Sequence, residues 1–504
     1  MPAAPASSGR YAVGTQTQAE PSGPAEGGPR YGDPRARAEA GPRIDLGPGG
    51  GTRNQLRSVA SSSFWSEIDG LQARISVQLA EEFEGRGLTE EAQKEIGRRL
   101  IEETLREHVR ALVAAGSPPW DAVYTQRVKD ALLNKLFGLG RLQELVDDET
   151  VENIEITGFD QVLLLHSEGR RTVADPVAES DEQLIRDLAF IASRRSRSER
   201  SFTPSNPFLK LALPGGQRLQ ATAWVTPRPK VVIRRDRLPD IDLEQLREFG
   251  SLDRVLEQFL SAAVRAHKSI VVSGRGQGSG KTTLVRALAN AMDPWESIAT
   301  IETEYELKLH QMPERHQRVT AMEARPGSGE IGRDGRAAGE ITVNELVYES
   351  LRFNIDRVIV GEVRGAEVVP MFKAMQMGNG SLSTIHANSA EDVIERLVTC
   401  AVEDASNSEA FAYRQVGQHI DLILFNEVEV DPVTGKRHRY LSEVIEVGLG
   451  EGERRVAVTH VFMPDAKGRA VPVHEPTFMA ELVDAGFDRS LFGIQSGLWD
   501  EVRR

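Results

Sequence analysis

At 504 residues the chain is too long for one ordinary hydrophobic core, so two or more domains are expected. Its 40% hydrophobic and 27% charged residues are those of a globular protein, and a net charge of -14 argues against a surface that grips nucleic acid all over, though not against a local basic groove. The single cysteine, Cys400, excludes an intrachain disulfide framework or a cysteine zinc cluster, and fits a reducing cytoplasm. Its surroundings, VIERLVTCAVEDA, have helical apolar spacing and predict a buried, inert thiol. No apolar run approaches the roughly 20 residues that cross a bilayer, and the first residues lack the hydrophobic block of a secretory signal, so a membrane role would act through a partner.

Residues 1–60 are dense in Gly, Pro, Ala, Ser and Arg and carry few large apolar side chains, which predicts a disordered tail. From Phe64 the pattern changes: Ile68, Leu71, Ile75, Leu79 and Phe83 recur at helical spacing until Gly85 and Gly87. Ile96, Leu100, Leu105, Val109 and Leu112 repeat the spacing, so residues 61–120 are expected to form a helical unit. Residues 121–236 mix short strands and helices and read as an α+β domain. VENIEITG and QVLLLHSEG suggest a hairpin, DEQLIRDLAFIA an amphipathic helix, and GGQRLQATAW and KVVIRRD two strands carrying Arg218, Arg234 and Arg235. In residues 241–504 the apolar strands SIVVSG, SIATIE, RVIVGE and SLSTIHA alternate with helical stretches, as a largely parallel sheet with crossover helices requires. From His419 the pattern is richer in strands and turns, including DPVTGK.

The stretch VVSGRGQGSGKTTLVRAL has the form of a phosphate-binding loop. In such a loop, backbone N–H groups surround the β-phosphate, a lysine neutralises the β and γ oxygens, and the next hydroxyl holds magnesium. Gly280, Lys281 and Thr282 match, but Arg275 stands where the strict pattern has its first glycine. Two geometries accommodate it: a loop one residue longer that starts at Gly274, or a shifted turn in which Gly276 and Gly278 take the unusual backbone angles. Ser279 and Thr283 complete the candidate nucleotide-binding set, and TTLVRALAN supplies a helix whose N-terminus favours anions.

Hydrolysis also needs acids at the ends of neighbouring parallel strands, where such sheets present their ligand crevice. Gly361 and Glu362 follow DRVIV, and Glu302, Glu304 and Glu306 follow SIATI. His386 ends another apolar strand, ahead of a capping box of Ser389 and Asp392.

The ordered set GSGKTT, IETEYEL, DRVIVGEVRG and GSLSTIHANS resembles the secretion ATPase superfamily, which drives type II secretion, type IV pili and type IV secretion. Within it, LGRLQELVDDETVENIEITG, LPGGQRLQATA and VVIRRD resemble the branch of tight-adherence (Flp-type) pili, the CpaF/TadA type. The resemblance implies an α/β fold: a C-terminal RecA-like P-loop ATPase domain behind a smaller α+β N-terminal domain. It also implies ATP and Mg2+, a homo-hexameric ring, a membrane platform protein as partner, and a cytoplasmic location at the inner face of the membrane. By motif position, Lys281 and Thr282 take the phosphate and magnesium roles, with Glu362 the Walker B carboxylate and second metal candidate. Glu306 falls on the water-activating acid, His386 on the histidine box, Arg364 after the Walker B glutamate, and Arg218 and Arg234 on arginines that reach the γ-phosphate. Two departures stand out: Thr303 replaces the usual aspartate of the acidic box, and no histidine precedes GSL. The rival functions are a nucleic-acid translocase, disfavoured by 6% aromatics and by an arginine cluster, SRRSRSER, without interleaved rings, and a nucleotide-binding scaffold with little hydrolysis.

Overall fold

The computed structural model describes residues 52–499, with breaks at 85–86, 168, 196–201, 237, 239, 277, 326, 328–336, 377–378, 404–406, 433–434 and 453–455, and side chains from residue 63. Residues 1–51 of the expected tail, most of the SRRSRSER cluster and the middle of the DPVTGK turn lie outside the described residues.

Three helices come first: α1 (Thr52–Phe83), α2 (Glu90–Ala114) and α3 (Ala122–Phe137). Helix α1 starts inside the stretch expected to be a tail. Helix α3 joins the helical unit and does not open the α+β domain, because Val128, Leu132 and Leu136 share one core with Ile68, Ile75 and Ile101. Asp121 caps α3 by accepting from the Tyr124 N–H at 2.7 Å. Gly97 lets α2 and α3 meet closely, since a Cβ there would lie 2.2 Å from the Phe137 ring.

After α4 (Gln143–Asp147) come β1 (Val151–Thr157), β2 (Gln161–His166), β3 (Arg171–Ala174), α5 (Asp181–Arg195), β4 (Phe208–Ala212), β5 (Arg218–Thr222) and β6 (Lys230–Arg234). Among the described residues these strands form a six-stranded antiparallel sheet in the order β3-β2-β1-β6-β5-β4. Alternate residues such as Leu209, Leu211, Leu219 and Ala221 face α5, as one-sided burial demands.

The remaining elements are α6 (Leu243–Glu248), α7 (Arg254–Arg265), β7 (Ile270–Gly274), α8 (Lys281–Ala289), β8 (Ser297–Glu302), β9 (Arg318–Glu323), α9 (Val343–Ser350), β10 (Arg357–Val363), α10 (Val368–Met375) and β11 (Leu382–His386). They are followed by α11 (Asp392–Val402), α12 (Glu409–His419), β12 (Leu422–Val430), β13 (Arg437–Leu449), β14 (Val456–Pro464), β15 (Ala470–Pro472) and α13 (Met479–Asp484). Among the described residues the second sheet has nine strands, in the order β15-β14-β13-β12-β7-β11-β10-β8-β9. From β12 to β9 the pairing is parallel, and from β13 onward it is antiparallel. Separate apolar cores cover its two faces, so every residue of β7 and β8 is buried and neither strand shows the in–out alternation of a one-sided sheet. Cys400 lies fully buried in one of these cores. No described helix is long and apolar enough to cross a membrane.

Candidate nucleotide site

Strand β7 ends at Gly274 and α8 starts at Lys281, with the glycine-rich turn between them. Gly276, Gly278 and Gly280 have φ of 71°, 78° and 86°, the left-handed region that glycine enters without strain. Arg275 needs no such angle, so the shifted turn is the geometry adopted. Gly274 matters differently: a Cβ there would sit 2.7 Å from Ser279 Oγ and 2.8 Å from Asn426 O. The Arg275 side chain turns outward, donating to Asn388 O at 3.1 Å and approaching Glu427 Oε1 at 3.4 Å.

Lys281, in the first turn of α8, is largely buried, and burial pulls its ammonium from 10.5 down to about 8 against the pull of Glu362. Its Nζ lies 3.2 Å from His386 Nδ1 and 3.1 Å from Nε2, while His386 Nε2 lies 3.1 Å from Glu362 Oε1. The His386 ring thus stands between the ammonium of Lys281 and the carboxylate of Glu362 and touches both. Arg364 adds two hydrogen bonds to Glu362 Oε2, at 2.9 and 2.5 Å. Burial works to raise the Glu362 carboxyl, but the bonds from His386 and Arg364 outweigh it and hold the group at about 2.

The acids at the end of β8 divide by environment. Glu302 is buried, and its Oε2 accepts from the N–H groups of Glu306 and Leu307 at 2.7 and 2.9 Å, shaping the turn that follows. Among the described residues its Oε1 has no hydrogen-bond partner within ordinary distance, and burial pushes the carboxyl up to about 7. Glu304 pairs with Lys210 at 3.1 Å. Glu306 accepts the Thr282 hydroxyl at 3.1 Å and forms an ion pair with Arg218. A cleft between these strand ends is lined by Thr282, Glu302, Glu304, Glu306, Glu362 and Thr384.

Thus Lys281, Thr282, Glu306, Glu362, His386, Arg364 and Arg218 share one neighbourhood. Arg234 stands beside Arg218 in the β5–β6 ladder, with its side chain exposed. Thr283 occupies the first turn of α8. Of the expected capping box only half forms: Ser389 Oγ accepts from the Asp392 N–H at 3.1 Å, whereas the Asp392 carboxylate takes the Asn388 N–H at 2.9 Å.

Sequence reasoning missed Arg286. It is 2% exposed, donates to Leu307 O at 3.0 Å and Glu306 O at 2.6 Å, and grips Asp236 Oδ2 at 2.7 Å. Lys308 Nζ approaches the same aspartate at 3.5 Å and donates to Gly216 O at 2.8 Å. Next door, Arg235 donates to Val146 O and Asp148 O of the preceding domain. A charged residue inside an apolar helical run, as in TTLVRALAN, was the available signal.

The turn with three left-handed glycines, a lysine at a helix start and carboxylates on adjacent strand ends is the geometry of a P-loop nucleotide-binding fold. The type II/IV secretion system protein family model matches residues 161–428, just over half of the chain. The chain belongs to that family. A Mycobacterium tuberculosis protein named for conjugal transfer is 31% identical over 279 residues, covering 53% of this chain and 74% of its own. The type IV secretion system protein PtlH of Bordetella pertussis is 28% identical over 299 residues, covering 54% and 84%. The X-ray structure of the ATPase DotB of Legionella pneumophila overlays at a TM-score of 0.44 with 18% identity, covering 60% of this chain and 79% of that one. Membership of the secretion family implies nucleotide binding, and the loop fits a polyphosphate. Its glycine turn is open at Gly276, where an added Cβ would meet nothing within 4 Å, and Lys281 and Thr282 follow at the helix start. Among the described residues no group of three or more His, Cys, Asp and Glu side chains is arranged to hold a metal, so a magnesium ion would be held by Thr282 and Glu362 together with nucleotide oxygens.

Proposed function

We propose that this chain is a Mg-ATP hydrolase that powers pilus assembly or protein secretion, in the tight-adherence branch of the family. What carries the reading is the convergence of Lys281, Thr282, Glu306, Glu362 and His386 at the C-terminal ends of β7, β8, β10 and β11. Lys281 would leave His386 to neutralise the β and γ oxygens, at little cost because the imidazole then keeps its bond to Glu362. Glu306, freed of Thr282 and Arg218, would orient the attacking water; Thr282 and Glu362 would hold the bound magnesium, which when present neutralises phosphate charge. Arg218 and Arg234 would then meet the γ-phosphate from the N-terminal sheet. Exchange of Arg218 between Glu306 and phosphate links hydrolysis to movement of that sheet. The working form is a homo-hexamer seated on an integral membrane platform protein at the cytoplasmic face of the membrane.

The test is phosphate release by the wild type and by Lys281→Ala, each with and without DNA. Lysine-dependent release that DNA leaves unchanged is expected. Release that survives the substitution, or no release, defeats the hydrolase reading. Strong DNA stimulation would instead favour the translocase that the name of the Mycobacterium relative suggests.

A further inference from the structure

The β12–β13 hairpin holds the outer side of the phosphate loop. For a loop to aim successive N–H groups at a phosphate, the C=O groups of the same peptides must point away and find donors elsewhere. Here they do. Arg439 Nε donates to Gly278 O at 2.6 Å, and Asn426 Nδ2 donates to Ser279 O at 3.3 Å. Those carbonyls belong to the peptides whose N–H groups are Ser279 and Gly280, so each bond polarises an N–H donor of the phosphate loop. Asn426 is buried and sits where the β12–β13 register shifts, a bulge that turns its side chain to the loop. The Arg439 guanidinium also reaches Glu152 Oε1 at 3.5 Å, and the Glu152 carbonyl accepts the Arg235 N–H at 2.9 Å. One side chain therefore touches both the phosphate loop and the first strand of the N-terminal sheet.

Resting on the ATPase reading above, we infer that Arg439 is a positioning residue: it sets the Gly278–Ser279 peptide for phosphate binding and, through Glu152, makes nucleotide affinity depend on where the N-terminal sheet sits. Loss of a charge-assisted hydrogen bond to a loop carbonyl should weaken binding by about tenfold. Because the chemistry lies elsewhere, KM should rise while kcat stays within about threefold.

The experiment compares full-length wild type, Arg439→Ala, Arg439→Lys, Glu152→Gln and the Glu152→Gln/Arg439→Lys pair. ATP and ADP binding, KM and kcat are read with amide hydrogen exchange of the nucleotide-free loop. Arg439→Ala should weaken binding and speed exchange at Ser279 and Gly280, whereas Arg439→Lys should recover most of the affinity through one donor. Glu152→Gln should weaken binding in the wild-type background and do nothing beside Arg439→Lys, whose ammonium cannot serve both partners. Wild-type affinity and loop exchange in Arg439→Ala would overturn the positioning role, and additive effects of Glu152→Gln and Arg439→Lys would overturn the coupling. A wild-type chain that binds no nucleotide sinks the ATPase reading, while loop exchange still decides whether Arg439 orders the peptide.

Discussion

Arg286→Met removes the cation at the centre of the site's scaffold while keeping most of its volume. The guanidinium serves the carbonyls of Glu306, Leu307 and Leu238 and both oxygens of Asp236. Without it, the partly buried aspartate is left, among the described residues, with Lys308 at 3.5 Å, and the carbonyls lose that donor. Breaking a buried ion pair from one side costs about 3–5 kcal/mol. For a domain of this size each kcal/mol lowers the melting temperature by roughly 2–4 °C, so a drop on the order of 10 °C is expected. Scanning fluorimetry of the nucleotide-free protein measures it. The Arg286→Met/Asp236→Asn pair should melt well above the sum of the two single losses, because the aspartate charge is no longer stranded. The pH dependence has a defined sign: burial raises the Asp236 carboxyl, but Arg286 and Lys308 outweigh it and hold the group below its ordinary 3.8. Its stabilisation is therefore present above that value and is lost as pH falls through and below it. A single Arg286→Met variant that melts within about 2 °C of wild type would refute the reasoning, since the smallest cost considered already exceeds that.

Glu302 gives the opposite sign, because its folded carboxyl is raised from 4.5 to about 7. Between those pH values the wild type should lose roughly 3 kcal/mol of stability relative to Glu302→Gln in denaturant titrations; parallel pH profiles would refute this. Lys281 titrates at about 8, so ATP affinity in calorimetric titrations should be greatest below that pH and fall by up to about tenfold per unit above it. Affinity unchanged up to about pH 9.5 would mean that the lysine does not meet phosphate in its charged form. Cys400, fully buried, should resist thiol reagents until the chain unfolds, and rapid labelling of the native protein would contradict its place in the core.

Much of the parallel sheet was legible because strands covered on both faces become apolar runs, as IVVSG and SIATIE do, and their motifs sit at the ends where a crevice forms. The turn itself was legible only as a choice of two geometries, since Arg275 breaks the pattern and only the backbone angles at Gly276 and Gly278 decide it. Arg286 was hidden because a charge in an amphipathic helix reads as solvent-facing, yet here the linker carrying Asp236 covers that side. Arg439 and Glu152 are 287 positions apart, and no local period connects them. The start of α1 at Thr52 was missed for the opposite reason: the residues before Phe64 carry little apolar signal.

Adjacent residues Arg235 and Asp236 are fastened to opposite bodies, one to the carbonyls of Val146 and Asp148 and the other to the guanidinium beside the phosphate loop. The crossing is thus a single peptide unit with no slack. Sliding of one body past the other would tear an anchor, whereas swivelling about the few torsions at this joint keeps both. A joint so near the phosphate loop would serve as the fulcrum of a long arm, since a small angular step there would carry the distant helices through a much wider arc. Inserting flexible residues between the two anchors should free the N-terminal sheet, and with it Arg218, from its fixed approach to Glu306.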